Sequence, residues 1–159
     1  MTSGTVYVMD IDDTIVLHTK GKHDLYNMNS DTELLELISG LNYQKLYLYT
    51  NGTYGHGYNV SSNLQLNDII YSIFARDNIP YMKPHISSFN YVNNKITDYK
   101  RNDYKIIFFD DLLDNLVTAK RIGWMTVWIS DKFNEKPEYI DYSFPNIYDA
   151  LIYFRLKEG

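Results

Sequence analysis

Cysteine is absent from the 159 residues of this sequence, which excludes both a disulfide framework and a thiolate metal site. Long apolar runs are also lacking, because no stretch approaches the ~18 residues that a membrane-spanning helix requires. Residues 1–4 carry no basic side chain of the kind that begins a secretory signal peptide. We therefore expect a soluble protein of the cytoplasm.

Positive charge is in short supply, since 15 lysines and arginines face 20 aspartates and glutamates, for a formal net charge of -5. A protein that coats nucleic acid is usually basic, so this balance argues against that class. A nucleotide or a polynucleotide end remains open as a substrate. Alanine is scarce while Asn, Ile, Lys and Tyr dominate, which is the bias of an AT-rich genome, so the 16 tyrosines need no functional explanation of their own.

Short apolar runs alternate with amphipathic stretches along the chain, and this order is typical of a parallel sheet covered by helices. We predict strands at residues 6–9, 46–49, 69–74, 104–109 and 125–129. Helices are predicted at about residues 30–40, 54–64, 87–96 and 112–122, with a last helix from about residue 146. The predicted fold class is α/β, a three-layer Rossmann-like fold with a five-stranded parallel sheet, in a single domain over residues 1–159.

The first predicted helix has clear end signals. Ser30 is its predicted N-cap, Glu33 completes a capping box, and Gly40 stands where a left-handed C-terminal residue belongs. Residues 15–29 before it, which include a polar stretch from Thr19 to Asn29, are predicted to form a hairpin or flap over the strand ends. This segment is too short to be a separate cap domain.

The first predicted strand runs directly into three carboxylates and a threonine, namely Asp10, Asp12, Asp13 and Thr14. Carboxylates just past a strand lie where an open α/β sheet binds its ligands. Because close negative charges repel, a cation would stabilise them, and hard oxygen ligands favour Mg²⁺. The alternative is an acidic turn with a helix cap, since Asp and Thr are common turn residues.

Three further polar signals lie at or just beyond the ends of predicted strands: Thr50, Lys83 and the pair Asp110-Asp111. Each has a plain alternative when taken alone. Thr50 would then be a strand terminator, Lys83 a solvated loop lysine, and the acidic pair a helix cap.

Four aromatic side chains flank the presumed site: Tyr54, His56, Tyr81 and His85. A surface or packing role is the favoured interpretation for both histidines. The tyrosines are candidates for a substrate pocket, but tyrosine is so common here that their positions alone do not favour it.

Taken together, these signals have the order and spacing of the four motifs of the haloacid dehalogenase (HAD) superfamily of phosphohydrolases, which the chain resembles over nearly its whole length. The first motif, a strand followed by Asp-x-Asp-x-Thr, is similar to residues 10–14. The second is a strand ending in Ser or Thr and matches Thr50. The third is a lysine often followed by proline and matches Lys83, and the fourth is an acidic pair that matches Asp110-Asp111.

This resemblance implies a role for each acidic residue. Asp10 would be the nucleophile, forming an aspartyl-phosphate that divides a slow hydrolysis into two steps. Asp12 would protonate the leaving oxygen and then activate water. The implied cofactor is Mg²⁺, held by the Asp10 carboxylate, the Asp12 backbone carbonyl and Asp111, with Asp110 and Asn115 supporting the site.

The resemblance also implies a phosphate site. Thr50, with the backbone amides of Asn51 and Gly52 at a helix start, would bind phosphate oxygens. Lys83 would place a positive charge on the phosphate and on the nucleophile. The family's strand order further implies that the first and fourth predicted strands lie side by side.

In HAD phosphohydrolases an inserted cap usually determines substrate specificity. The spacings between Thr14 and Thr50 and between Lys83 and Asp110 leave room only for a flap and single helices, as in capless members. Capless relatives act on phosphoproteins or nucleic-acid ends, or close the site with a neighbouring subunit, which implies a homo-oligomer. The segments around Thr50, Lys83 and Asp110 locally resemble pyrimidine 5′-nucleotidase relatives, which normally carry a cap. The predicted function is therefore a Mg²⁺-dependent phosphomonoester hydrolase acting on a nucleotide or on a larger phosphorylated substrate.

Two other classes of protein remain as alternatives. A non-catalytic phospho-ligand-binding or interaction domain on the same fold is one, although such domains often lose one of the carboxylates. A signalling receiver domain is the other, since it also uses an acidic pair, a threonine and a lysine. In receivers the phosphoacceptor ends a middle strand and the lysine comes near the chain end, unlike Asp10 and Lys83.

Overall fold

A computed structural model describes residues 3–17, 31–100 and 103–158 of the chain. Its strands are β1 (Ser3–Met9), β2 (Lys45–Tyr49), β3 (Ser72–Phe74), β4 (Asp103–Asp110), β5 (Met125–Ile129) and β6 (Tyr142–Phe144). Its helices are α1 (Thr32–Ser39), α2 (Tyr54–Asn63), α3 (Ile86–Thr97), α4 (Leu113–Arg121) and α5 (Ile147–Glu158), with a 3₁₀ turn at Phe133–Glu135. Strands and helices alternate from β1 to β5, as the sequence predicts.

The strands of the described residues form one parallel sheet in the order β3-β2-β1-β4-β5-β6. The α/β prediction is confirmed, but the predicted number of five strands is one too few. Strand β6 has three residues and is followed at once by Pro145, so it is too short to show an alternating pattern. Strand β3 is shorter than predicted, because Ile69 and Ile70 lie in a turn whose amides donate to the Leu66 carbonyl.

Helices cover both faces of the sheet, and two separate apolar clusters result. Successive side chains of a strand point to opposite faces, so Tyr7 and Met9 pack against α1, α2 and α5 while Val6 and Val8 pack against α3 and α4. Burial on both faces explains why the central strands are nearly continuous apolar runs. The three-layer architecture is that of the prediction.

Both end signals predicted for helix α1 are corrected. The N-cap is Asp31, whose Oδ1 accepts from the Leu34 N–H at 3.0 Å, whereas Ser30 lies outside the described residues. Gly40 follows the helix with a φ of -83°, so the left-handed conformation predicted for it is wrong. The Gly40 N–H donates to the Glu36 carbonyl at 3.0 Å and simply continues the last turn.

Residues 18–29 of the predicted flap also lie outside the described residues, while residues 15–17 are buried. Just before them, Asp13 adopts a positive φ of 60°, and its N–H donates to the Val16 carbonyl at 2.7 Å. This tight turn follows β1 immediately. It returns Thr14 toward the end of the strand.

The order of strands reverses its direction at β1. From β1 the chain first adds β2 and β3 on one side and then crosses to add β4, β5 and β6 on the other. Met9 therefore pairs with Phe109, and the residues that follow β1 lie beside Asp110 at the end of β4. A crevice at such a switch is where open α/β sheets bind ligands. Among the described residues, no helix has the length and apolar character needed to cross a membrane.

Candidate active site

Asp10 follows β1 at the centre of the sheet. Its N–H donates to the Phe109 carbonyl at 3.0 Å, which fixes it beside β4. Its side chain is only 11% exposed; Oδ2 accepts from the Thr14 hydroxyl at 2.9 Å and Oδ1 from Lys83 Nζ at 3.0 Å. Burial, and then the charge of Asp110, raise the pKa of this carboxyl well above its ordinary value. The predicted nucleophile is thus a buried carboxylate held by two donors.

Lys83 reaches Asp10 from the loop between β3 and α3. Its Nζ donates to Asp10 at 3.0 Å, to Asp110 at 2.9 Å and to the Tyr49 carbonyl at 2.8 Å. The amine also lies 4.9 Å from the Tyr49 ring centroid and 5.5 Å from that of Phe108. Burial lowers the pKa of Lys83, but the charges of Asp10 and Asp110 outweigh it and hold that pKa above its ordinary value. Lys83 is therefore a buried cation, not a solvated loop lysine.

The side chain of Asn51 holds the backbone that carries Lys83. Asn51 Oδ1 accepts from the Lys83 N–H at 2.9 Å, and Asn51 Nδ2 donates to the Lys83 carbonyl at 2.9 Å. Beyond it, the Thr118 hydroxyl of α4 donates to the Pro84 carbonyl at 2.7 Å. The sequence predicts a use only for the backbone amide of Asn51. The side-chain clamp depends on two loops meeting in space.

Asp110 is fully buried at the end of β4, and donors surround its carboxylate. Oδ1 accepts from the Leu112 N–H at 2.9 Å, and Oδ2 accepts from Lys83 Nζ at 2.9 Å and from Asn115 Nδ2 at 3.1 Å. The contact with Asn115 ties the carboxylate to the first turn of α4. This arrangement suits a supporting position, as the resemblance implies for both residues.

Asp111 lies next to Asp110 and is only partly buried. Its carbonyl accepts from Trp128 Nε1 at 3.0 Å, and its Oδ1 lies 3.3 Å from the oxygen of the Thr14 hydroxyl, whose shorter contact is with Asp10. Burial, and then the charge of Asp110, raise the pKa of this carboxyl to about 6. Asp111 is therefore fixed by its backbone, and its carboxylate stands near Asp10.

Oxygen atoms of Asp10, Asp110 and Asp111 all lie within 4.8 Å of one another. Burial and the negative charge of Asp110 raise the pKa values of both Asp10 and Asp111, and a bound divalent cation would favour the ionised forms of both groups. Because carboxylate oxygens are hard ligands, the donor set fits Mg²⁺. Asp110 is fully buried and its oxygens accept from three donors, whereas Asp10 accepts from two and Asp111 is only partly buried, so Asp10 and Asp111 are better placed as direct ligands.

Thr50 and Gly52 form a tight turn between β2 and α2. The Thr50 N–H donates to the Phe74 carbonyl at 2.9 Å, and Thr50 Oγ1 accepts from the Gly52 N–H at 2.9 Å. A Cβ on Gly52 would stand 3.1 Å from His56 Cδ2 and 3.2 Å from Thr50 Oγ1, so glycine permits this close approach. Helix α2 begins directly afterwards, with Thr53 as its N-cap. The predicted phosphate-binding residues therefore lie at a helix start beside the Asp10 crevice.

Asp12 lies on the loop after β1 and contacts His56. Its two carboxylate oxygens lie 3.0 and 3.2 Å from His56 Nε2, with the Asp12 side chain 43% exposed and that of His56 28% exposed. The sequence favours a surface or packing role for His56, and no spacing signal links positions 12 and 56. Their contact depends on how α2 packs beside the first loop.

The other aromatic candidates lie farther from this network. His85 is the N-cap of α3, where its Nδ1 accepts from the Ser87 N–H at 3.0 Å, and Tyr81 stacks on its ring at 4.9 Å. Tyr54 is exposed on α2 and stacks against Tyr58. A substrate-pocket role for the tyrosines stays a prediction.

No protein-family model matches this sequence, and no curated protein matches it either. Solved structures do match, and they share the haloacid-dehalogenase-like fold over most of the chain. The predicted resemblance is thereby confirmed at the level of the fold. This protein has the fold of HAD-like hydrolases.

One similar structure is that of the proposed HAD-hydrolase YfnB from Bacillus subtilis, bound to magnesium. It has 16% identity and a TM-score of 0.69, with 96% of this chain and 99% of that chain covered. L-2-haloacid dehalogenase from Xanthobacter autotrophicus has 11% identity and a TM-score of 0.66, with 94% and 98% covered. A predicted phosphoglycolate phosphatase from Haemophilus somnus has 19% identity and a TM-score of 0.60, with 80% and 57% covered.

Proposed function

We propose that this protein is a Mg²⁺-dependent phosphomonoester hydrolase that works through an aspartyl-phosphate on Asp10. The observation that carries the proposal is the position of the Asp10 carboxylate. It is buried at the switch point of the sheet, accepts from Lys83 and Thr14, and lies beside Asp111. A carboxylate held in this way matches the need for an oriented nucleophile next to positive charge.

The proposed reaction has two steps. In the first, an Asp10 oxygen attacks phosphorus, the bond from phosphorus to the ester oxygen breaks, and Asp12 gives its proton to that leaving oxygen. In the second, water attacks the aspartyl-phosphate while Asp12 takes the proton of that water, so that inorganic phosphate leaves and Asp10 is regenerated. Each step needs Asp12 in the opposite protonation state from the other.

Charge stabilisation is assigned to neighbouring groups. The ammonium of Lys83 would offset the negative charge of the nucleophile and of the phosphate. The Thr50 hydroxyl and the Asn51 amide ahead of α2 would donate to phosphate oxygens, whereas the Gly52 amide, predicted for the same role, is engaged with Thr50 Oγ1. The Thr50 hydroxyl accepts from the Gly52 N–H, and it can still donate its own hydrogen.

The proposed magnesium ligands are the carboxylates of Asp10 and Asp111 and the backbone carbonyl of Asp12. When bound, the ion would supply positive charge where a phosphate dianion meets an anionic nucleophile. Asp110 and Asn115 would hold this arrangement from behind, as their hydrogen bond indicates.

Phosphate esters are the preferred substrate class, although one similar structure is a haloacid dehalogenase with chloropropionic acid covalently bound. The cluster of Asp10, Asp110 and Asp111 supports this choice. Three close carboxylates favour a divalent cation, and a phosphate dianion is the substrate that gains most from that cation. We propose a nucleotide, a phosphoprotein or a nucleic-acid end as substrate, reached by a capless single domain that a second copy of the chain completes.

The test is turnover of 4-nitrophenyl phosphate with and without Mg²⁺, and 2-chloropropionate is assayed separately as the alternative substrate. We expect Mg²⁺-dependent release of phosphate and no release of chloride. Asp10→Asn should abolish turnover, because an amide is a far weaker nucleophile than a carboxylate. Asp13→Asn is the matched control, since it makes the same change three residues away, at a left-handed position that asparagine tolerates.

Turnover that survives in Asp10→Asn would refute Asp10 as the nucleophile. Tight binding of phosphate esters by the wild-type protein without any turnover would instead support the non-catalytic phospho-ligand-binding alternative. A screen across nucleotides, sugar phosphates, phosphopeptides and 3′-phosphorylated oligonucleotides would then identify the substrate class.

A further inference from the structure

We propose that His56 is a positioning residue, which fixes the Asp12 carboxyl group so that the proton it carries in the first step is aimed at the leaving-group oxygen. The inference rests on the proposed phosphatase function and adds a residue that the four sequence motifs do not contain. It rests on the contact between the two side chains and on the way α2 holds the imidazole.

The contact itself is specific. His56 Nε2 lies 3.0 Å from one Asp12 oxygen and 3.2 Å from the other. When Asp12 is ionised its oxygens can only accept, so the contact then requires the tautomer with a hydrogen on Nε2; when Asp12 is protonated, its other oxygen can still accept from Nε2. The Asp12 side chain is 43% exposed, and packing alone therefore does not select its rotamer. A donor that meets both oxygens orients the plane of the carboxylate.

His56 is itself well fixed. Its backbone N–H donates to Thr53 Oγ1 at 3.1 Å in the first turn of α2. Its ring lies against Gly52, where an added Cβ would come within 3.1 Å of Cδ2. Within α2 itself, a Cβ on Gly57 would lie 3.0 Å from the Ile73 side chain and 3.4 Å from that of Ile11. The two glycines thus let α2 approach the loop after β1 closely enough for the imidazole to reach Asp12.

Correct aim of Asp12 matters most where the leaving group needs a proton. An alkoxide is a poor leaving group and must be protonated as it departs, whereas 4-nitrophenolate leaves readily without a proton. If His56 acts through Asp12, its removal should therefore slow alkyl phosphates far more than 4-nitrophenyl phosphate. A residue that merely stabilises the fold would affect both substrates equally.

The experiment compares kcat/KM for 2-phosphoglycerol with kcat/KM for 4-nitrophenyl phosphate, because this constant covers the steps through departure of the leaving group. His56→Phe retains a ring over Gly52 but lacks the donor. We expect it to lower kcat/KM about 10- to 30-fold on the alkyl ester and less than about 3-fold on the aryl ester. His56→Gln, whose amide restores a donor, should recover most of the loss.

Two controls complete the test. His85→Phe makes the same substitution at the cap of α3, away from Asp12, and should leave the ratio of the two constants unchanged. In an Asp12→Asn background, His56→Phe should have little further effect, because residues that act through one another are not additive.

Equal losses of His56→Phe on both esters, or no recovery in His56→Gln, would overturn the inference while leaving a phosphatase in place. Wild-type protein that hydrolyses neither ester would overturn the proposed function, and this inference with it. Circular dichroism and thermal melting of each variant show whether its fold is retained.

Discussion

Replacing Lys83 by methionine tests the electrostatic design of the site most directly. Lys83→Met keeps the length of the side chain but removes the charge that lies 3.0 Å from Asp10 and 2.9 Å from Asp110. At an effective dielectric constant of about 20, each contact contributes roughly 5 kcal/mol of Coulomb attraction. Burial of the ammonium offsets much of this sum. What remains after the substitution is two buried carboxylates without their counter-charge.

Breaking a buried ion pair by removing one partner costs about 3–5 kcal/mol, and we expect Lys83→Met to lower the free energy of unfolding of the metal-free protein by that amount. Urea unfolding followed by tryptophan fluorescence is the assay, because Trp124 and Trp128 are both buried. Saturating Mg²⁺ should restore part of the loss, because it would supply positive charge near Asp10.

Lys120→Met is the matched control. Lys120 forms an ion pair with Asp141 at 2.7 Å, but their side chains are 43% and 27% exposed, so its loss should cost no more than about 1 kcal/mol. The reasoning is refuted if Lys83→Met costs as little as Lys120→Met. It is also refuted if Mg²⁺ stabilises the Lys83 variant no more than it stabilises Lys120→Met.

Two other predictions concern the loop ahead of α2 and the metal-free cluster of Asp10, Asp110 and Asp111. Gly52→Ala should push the His56 ring aside by a few tenths of an ångström and lower kcat about tenfold. Gly55→Ala, whose Cβ meets nothing within 4 Å, should leave kcat unchanged and raise the stability of the helix by roughly 0.5–1 kcal/mol. Equal kcat values for the two variants would contradict this prediction. In metal-free protein, Asp111 has a pKa of about 6 against an ordinary value of 3.8, so it binds its proton more tightly when folded. Its contribution to stability is therefore complete below pH 3.8 and is lost as the pH rises through 6, by roughly 1–2 kcal/mol after solvent screening. Thermal melts across this range should show a smaller fall in Asp111→Asn than in the wild type, because Asp10, whose pKa is also raised, still titrates in the variant. Excess Mg²⁺ should reduce the fall in the wild type, and parallel curves for wild type and variant would exclude the contribution of Asp111.

The sequence determines the order of strands and helices and the residues that end the central strands. Apolar runs of the right length specify β1, β2, β4 and β5, because strands covered on both faces must be apolar throughout. It also determines the presence of Asp10, Thr50 and Asp111 at those ends, since their positions follow directly from where the apolar runs stop, whereas Lys83 lies in the loop between β3 and α3. For these features local pattern and final structure agree.

Short or boundary features were less predictable. Three-residue β6 has no pattern to detect, and the isoleucines at the start of the predicted third strand lie in a turn instead. The N-cap of α1 is Asp31, because capping depends on which side chain actually reaches the Leu34 N–H, and several neighbouring residues have the right chemistry.

Only the tertiary structure determines which of these side chains meet. Residues 10, 83 and 110 are far apart in the chain, yet one ammonium contacts both carboxylates, because β1 and β4 are neighbours and the Lys83 loop closes over their ends. The Asn51 clamp on the Lys83 backbone and the contact of His56 with Asp12 have no spacing signal at all. Such contacts depend on the packing of helices and loops against the sheet. The sequence alone therefore specifies the candidate site residues, and the packing of the chain determines their partners and their charge environment.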